Sequence, residues 1–323
     1  MLLGLFGAAA QTRPPAVPLV AHDPYFSIWS MADRLNADGT KHWTGKPNTL
    51  TAYARIDGKS YRIMGRERQA SSELSQTRLE VLPTRTIYEF AGAGVTVGLT
   101  FFTPALPDDL DVLSRPLTYI QWSASSSDGR EHDVQIYFDA ASDLVVNTPD
   151  QPVLAARYQL DGLPLLRMGS REQPVLAKRG DDLRIDWGYF HLAVPDSANA
   201  QLVTSHHAVQ SFVENGTIPA ADQMDMPRSP RNDAAHLAVA LPLGQVTAPV
   251  SRHILLAYTE NFAIEYLSVA LGSAETPKPF AATSSPFVDA FPNDAHILAL
   301  HAQAQLAPHF VGVVPGFDCA SVA

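Results

Sequence analysis

Short segments in which apolar and polar residues alternate are the feature that most constrains the fold of this chain. In residues 50–56 an aliphatic residue occupies every second position, Asp57-Gly58 follows, and a second apolar segment occupies residues 61–64. A period of two places alternate side chains on one face of a β-strand. Asp-Gly between two such segments is typical of a hairpin turn, so the pattern predicts a β-hairpin here.

Similar segments recur along the chain. We predict further strands at residues 95–101, 117–122, 134–138, 183–187, 189–194, 238–241 and 253–258. Turn residues separate these short segments, and 25 prolines disfavour long helices. The sequence therefore predicts an all-β fold, a large antiparallel β-sandwich of supersandwich-like size with little helix. Only residues 261–271 and 294–306 show weak helical patterns.

The charge balance and hydropathy argue against two kinds of partner. The chain carries 23 Lys and Arg residues against 33 Asp and Glu residues, a formal net charge of −10. An acidic surface repels phosphates, so we predict no nucleic-acid binding. No stretch reaches the roughly 18 apolar residues of a membrane helix, so we predict no membrane span.

The N-terminus and the cysteine content bear on the compartment. Residues 1–10, MLLGLFGAAA, form an apolar run that ends in three alanines, a pattern typical of the cleavage region of a signal peptide. We therefore expect a signal-peptide remnant and a periplasmic or extracellular protein. Cys319 is the single cysteine, which excludes an intrachain disulfide and a cysteine-rich zinc site.

Familiar catalytic and cofactor motifs are missing from the sequence. It contains no G-x-S-x-G, no glycine-rich phosphate loop and no H-E-x-x-H, so we predict no cofactor and no metal site. His206 and His207 are adjacent and would face opposite sides of a strand. The acidic groups at residues 108–111 and 181–182 are interpreted as turns.

One concentration of groups suits a binding site. His22, Asp23, Trp29, His42 and Trp43 combine aromatic faces with polar groups, as small-molecule pockets and domain interfaces do. An equally compatible alternative is that the two tryptophans belong to the core of the first sheet. We name these five residues as candidates for a pocket rim or a domain interface, and we assign no catalytic residue.

Several longer blocks resemble the glutaminase A family. They are RPPAVPL (13–19), HDPYFSIW (22–29), KHWTGK (41–46), RIDGKSYRIMG (55–65), LPDDLDVLSRP (106–116), EQPVLAKRGDDLRIDWGY (172–189) and LLAY (255–258). The resemblance covers residues 13–270. It implies a short N-terminal segment, residues 11–65, and a β-sandwich domain, residues 66–270, both long catalogued as domains of unknown function.

The resemblance also carries expectations about activity. Full-length family members continue into a helical-barrel domain, are secreted or periplasmic, and in some cases hydrolyse glutamine to glutamate and ammonia. That barrel is missing here, and residues 271–323 change in composition. We interpret this divergent tail as a frameshifted reading or the end of a fragment.

Function classes of different kinds remain open. The resemblance implies a non-catalytic N-terminal portion of a secreted amidohydrolase with a small-molecule substrate. Its partner would be the missing helical-barrel domain, which the sandwich would dock. The alternative is a carbohydrate-binding or accessory module of a glycoside-hydrolase-like protein, which predicts that Trp29, Trp43 or Trp122 is exposed.

Overall fold

The described part of the chain is a β-sandwich with a small additional sheet. The computed structural model describes residues 14–22, 24–66, 72–160, 163–175, 177–195 and 199–260. Its strands are β1 (Val17–Ala21), β2 (Ser27–Ser30), β3 (Leu50–Ile56), β4 (Lys59–Met64), β5 (Ser72–Glu73), β6 (Ser75–Leu82), β7 (Arg85–Gly92), β8 (Val95–Phe102), β9 (Leu117–Ser126), β10 (His132–Ala141), β11 (Val153–Leu160), β12 (Leu163–Ser170), β13 (Tyr189–Ala193), β14 (Gln201–Thr204), β15 (His236–Val246) and β16 (Val250–Thr259).

Helical structure among the described residues is short. It comprises α1 (Leu110–Leu113), a 3₁₀ turn (Ser142–Val145), α2 (Ala208–Asn215) and α3 (Pro230–Asp233). None of the described helices is long and apolar enough to cross a membrane.

Two large sheets form the sandwich. One has the strand order β14-β15-β10-β3-β4-β5, and the other has the order β11-β12-β13-β16-β9-β8-β7-β6. Pairing is antiparallel throughout these sheets except between β4 and β5. Strands β1 and β2 form a separate antiparallel pair. The predicted all-β antiparallel sandwich with little helix is confirmed.

The main core lies between the two sheets, and the alternation in sequence explains it. Along β8 the side chains at 95, 97, 99 and 101 are buried, and along β10 those at 134, 136, 138 and 140 are buried. These two sets belong to one apolar cluster, which also contains Trp122. Each fully buried aliphatic or aromatic side chain stabilises the fold by roughly 1.5–3 kcal/mol.

A second apolar layer covers the outer face of the six-stranded sheet. Phe212 of α2 packs on Tyr137, at a ring-centroid distance of 5.2 Å. Gly216 ends this helix with φ +77° and donates its N–H to the carbonyl of Phe212 at 2.8 Å. The positive φ favours glycine here, and a side chain at Gly216 would also displace Arg55, whose Nε would lie 2.6 Å from its Cβ.

Most of the predicted strands are confirmed, and one is wrong. The hairpin β3–β4 forms with Asp57-Gly58 as its turn. Residues 183–187 belong to no strand, although residues 184–187 are buried. There the backbone N–H of Ile185 donates to the carbonyl of Tyr25, and that of Arg184 donates to Asn147 Oδ1. The alternating pattern reflects burial against loops rather than against a sheet.

The expected placement of His206 and His207 needs correction, and other expectations concern residues that the structure does not describe. His206 and His207 lie at the start of α2, not on a strand, and their rings are 3.7 Å apart. Strands β9 and β10 are consecutive in the chain but belong to different sheets, so the polar segment between them crosses the sandwich. The weak helical patterns at 261–271 and 294–306 and the tail 271–323 lie outside the described residues.

Candidate functional site

A tight loop presents Trp43 to solvent. Backbone hydrogen bonds pair Trp29 with Lys41, at 2.7 and 2.9 Å, and close residues 42–46 through His42 and Lys46 at 2.8 Å. Gly45 adopts φ +88° within this loop, a conformation that favours glycine. The Trp43 side chain is 49% exposed. We call residues 42–46 the Trp43 loop.

One carbonyl oxygen orients the two aromatic residues of this loop. Pro24 O accepts hydrogen bonds from Trp43 Nε1 at 2.7 Å and from His42 Nε2 at 3.2 Å. His42 is fully buried, and burial lowers its pKa to about 4. The ring is therefore neutral at pH 7, with its proton on Nε2. Its Nδ1 accepts from the hydroxyl of Thr44 at 3.0 Å.

A buried arginine links the Trp43 loop to two distant segments through hydrogen bonds to backbone carbonyls. Arg184 is 5% exposed and donates to the carbonyls of Pro47, Asp143 and Asn147 at 2.6, 3.1 and 3.0 Å. At the rim, Lys46 Nζ lies 2.8 Å from Asp182 Oδ2. This contact with Lys46 lowers the pKa of the Asp182 carboxyl. The Trp43 loop is thus fixed to segments that are distant in sequence.

A second exposed aromatic ring lies beside the end of the last strand. Tyr25 is 39% exposed, and its ring centroid is 5.8 Å from that of the buried Trp187. Trp187 Nε1 donates to Glu260 Oε2 at 3.2 Å. We call the exposed side chains of Tyr25, Trp43, Lys46 and Asp182 the Trp43 surface.

The other residues singled out in the sequence have different partners. His22 Nε2 lies 2.9 Å from Thr118 Oγ1, and burial lowers the pKa of His22 to about 3. Trp29 Nε1 donates to Ser27 Oγ at 2.9 Å. Asp23 lies outside the described residues. Of the five candidates, His42 and Trp43 are therefore the two that share a hydrogen-bond acceptor, the carbonyl oxygen of Pro24.

Sequence reasoning missed several residues of this site. All of them lie within the blocks that carry the family resemblance: Tyr25, Lys46, Asp182, Arg184 and Trp187. Membership in these blocks was the one signal in the sequence that could have selected them. Their proximity was not readable, because Lys46 and Asp182 are 136 residues apart in sequence.

The site combines aromatic rings with charged side chains. Its exposed groups are two aromatic rings and one ion pair, and its buried histidine is neutral with both nitrogens engaged. Among the described residues no group of three His, Cys, Asp or Glu side chains could hold a metal ion. A cleft of about 150 Å³ between β1 and the β6–β7 turn contains none of the five candidates.

The fold and this site define an all-β sandwich protein that exposes two aromatic rings beside an ion pair. The chain belongs to the family described as "Domain of unknown function (DUF5127)", whose model matches residues 84–296. The model described as "Domain of unknown function (DUF4964)" matches residues 6–74. The resemblance to a glutaminase A-like family with two such domains is confirmed.

Curated relatives carry the glutaminase name. The chain is 24% identical to glutaminase A of Aspergillus oryzae over 312 residues, which cover 91% of this chain and 44% of that protein. It is 22% identical to a probable glutaminase of Arthroderma benhamiae over 236 residues, which cover 65% of this chain and 26% of that protein. The chain thus spans less than half the length of either.

Comparison with solved structures gives low scores. A heparan sulfate lyase HepC mutant from Pedobacter heparinus aligns with a TM-score of 0.32 and 6% identity, covering 68% of this chain and 25% of that one. A galactose mutarotase related enzyme from Lactobacillus acidophilus aligns with a TM-score of 0.35 and 6% identity, covering 78% and 100%. Because both TM-scores are below 0.5, neither alignment assigns this chain to a fold family.

Proposed function

We propose that this chain is the non-catalytic N-terminal portion of a glutaminase A-like amidohydrolase, and that its Trp43 surface docks the remaining, C-terminal portion. The observation that carries the proposal is the hydrogen bond from Trp187 to Glu260. It holds Glu260, the residue that follows β16, to the indole of Trp187, whose ring also packs beside Tyr25. Residue 260 therefore lies near one of the two exposed rings. The alignment covers only 44% of the length of glutaminase A, which supports a full-length protein with a large further portion.

The composition of the Trp43 surface suits a protein interface. Tryptophan and tyrosine dominate the binding energy of many interfaces, and a polar rim usually surrounds them. Here the rim is the Lys46–Asp182 ion pair. Because Pro24 and Arg184 already hold the loop, docking would order few additional side chains, which lowers the entropic cost of binding.

The low pKa values of the histidines near this surface support a structural rather than a catalytic role for this portion of the protein. Amide hydrolysis needs a group that accepts and returns a proton near neutral pH. Burial lowers the pKa of His42 to about 4 and that of His22 to about 3, far from that range. We therefore assign amide hydrolysis to the C-terminal portion.

Ammonia release from L-glutamine tests this division. We would compare the purified chain, the chain joined to the C-terminal portion of Aspergillus oryzae glutaminase A, and the joined protein with Trp43→Ala. We expect no release by the chain alone, release by the joined protein, and at least ten-fold less release by the variant. Release by the chain alone would contradict the proposal.

A second function is supported by the same exposed ring. Trp43 is 49% exposed, as a sugar-stacking platform requires, whereas Trp122 is fully buried. Affinity electrophoresis in gels containing soluble polysaccharides tests this carbohydrate-binding alternative. Retardation that Trp43→Ala abolishes would favour it over a docking role.

We also propose that the protein is exported. The apolar run of residues 1–10, which ends in three alanines, supports this. N-terminal sequencing of protein recovered from the periplasm or medium of expressing cells tests it, and we expect cleavage after the alanine run. Recovery of uncleaved protein from the cytoplasm alone would contradict export.

A further inference from the structure

An arginine on the outer face of the eight-stranded sheet lies between two tyrosine rings. Arg167 Cζ is 4.5 Å from the ring centroid of Tyr158 and 4.4 Å from that of Tyr189. A side chain at Gly169 would lie 2.6 Å from Tyr189 Cδ1, so glycine allows this ring to lie close to the sheet. Both distances are those of a cation–π contact, which does not use up the N–H donors of the guanidinium.

No anionic side chain among the described residues neutralises this guanidinium. By contrast, Arg157 on the neighbouring strand binds Asp222 through two hydrogen bonds, at 2.8 and 2.9 Å. Arg167 is half-buried, neither fully solvated nor fully enclosed. A partly desolvated arginine with no counter-ion is suited to an external anion.

Two further polar atoms on this face have no hydrogen-bond partner. They are the buried hydroxyl oxygen of Tyr158 and the buried Nδ1 of His191. His191 lies directly opposite Arg167 in the pairing of β12 with β13, and Tyr158 is the residue whose ring covers the guanidinium. Burial and the charge of Arg167 lower the pKa of His191 to about 3, so this ring is neutral and adds no competing charge.

We propose that Arg167 and Tyr158 form a binding site for a carboxylate group, with His191 beside it. The planar guanidinium offers paired N–H donors that match the two oxygens of a carboxylate. The Tyr158 hydroxyl adds a third donor. This site lies on strands β11–β13 and is independent of the Trp43 surface and of the proposed function.

Calorimetric titration of the purified chain with butyrate and with its neutral amide, butyramide, tests the site. We expect saturable binding of butyrate and none of butyramide. Arg167→Gln should weaken butyrate binding at least ten-fold, whereas Arg171→Gln, an exposed arginine just beyond the end of β12, should leave it unchanged. Equal binding of acid and amide, or no saturable binding of either, would overturn the proposal.

Tyr158→Phe gives a readout that a purely structural role would not produce. The substitution keeps the ring on Arg167 and removes only the unpartnered hydroxyl. We expect three- to ten-fold weaker butyrate binding with unchanged thermal stability. Unchanged binding would remove Tyr158 from the site and overturn the proposal as stated.

The source of the natural carboxylate is resolved by repeating the titration on the chain joined to a C-terminal portion. Binding to both proteins identifies a soluble carboxylate as the ligand. Binding to the chain alone identifies a carboxylate of the C-terminal portion that already occupies the site.

Discussion

His42 and Trp43, neighbours in sequence, direct ring nitrogens at the same carbonyl oxygen, that of Pro24, at 3.2 and 2.7 Å. One ring is fully buried and the other is half exposed. The buried histidine therefore fixes the backbone from which the exposed tryptophan projects. This arrangement makes the Trp43 surface rigid without placing a proton-transfer group in it.

Replacement of His42 by alanine should lower the free energy of unfolding by about 2 kcal/mol, because a buried ring and two of its hydrogen bonds are lost. Urea unfolding at pH 7.5 measures this. His207→Ala is the matched control, since His207 is exposed, and it should change stability by less than about 0.5 kcal/mol. Equal effects of the two substitutions would contradict the role given to His42.

Acid should destabilise the protein through its buried histidines. Burial lowers the pKa of His22, His42 and His191 to about 3, 4 and 3, whereas the unfolded value is about 6.5. The unfolded state therefore binds more protons below pH 6.5, and stability falls as the pH falls through that range. The double variant His22→Gln/His42→Gln should lose less stability between pH 7.5 and pH 5 than the unsubstituted chain. Parallel losses would refute this.

His132 should show the opposite pH dependence. Its Nδ1 lies 2.7 Å from Asp57 Oδ2 and its Nε2 lies 3.0 Å from Asp128 Oδ1. These contacts with Asp57 and Asp128 raise the pKa of His132. Its contribution to stability is therefore present below about pH 6.5 and is lost as the pH rises through the raised value. His132→Gln should destabilise the chain more at pH 6 than at pH 9, and urea unfolding at both values checks this.

Glycine substitutions test the packing around His132. Gly94 and Gly129 have φ +75° and +79°, so alanine costs about 1 kcal/mol at either position from backbone strain. A Cβ at Gly94 would also lie 2.6 Å from His132 Nε2, whereas a Cβ at Gly129 meets nothing within 4 Å. Gly94→Ala should therefore lower the melting temperature more than Gly129→Ala. The reverse order would contradict the contact.

The sequence allowed the hairpin at residues 50–64 to be predicted because its signals are local: alternation and an Asp-Gly turn. The segment 183–187 has the same alternation but is wrongly predicted as a strand, because its partners, Tyr25 and Asn147, come from distant loops. Long-range contacts leave no periodic signal in one sequence.

The residues of the candidate site also fall into two groups, those that the sequence could indicate and those that it could not. His42 and Trp43 could be selected from their residue types and adjacency. The role of Arg184 could not, because its hydrogen bonds reach residues 47 and 143, which lie up to 137 positions away. Tyr25 and Trp187 likewise meet only in the folded chain.

Amide hydrogen exchange in the Trp43 loop tests the central claim most directly. The chain alone would be compared with the chain joined to the C-terminal portion of Aspergillus oryzae glutaminase A. If the Trp43 surface docks that portion, exchange at residues 43–46 should be at least ten-fold slower in the joined protein and should recover with Trp43→Ala. Identical exchange in the two proteins would contradict docking at this surface.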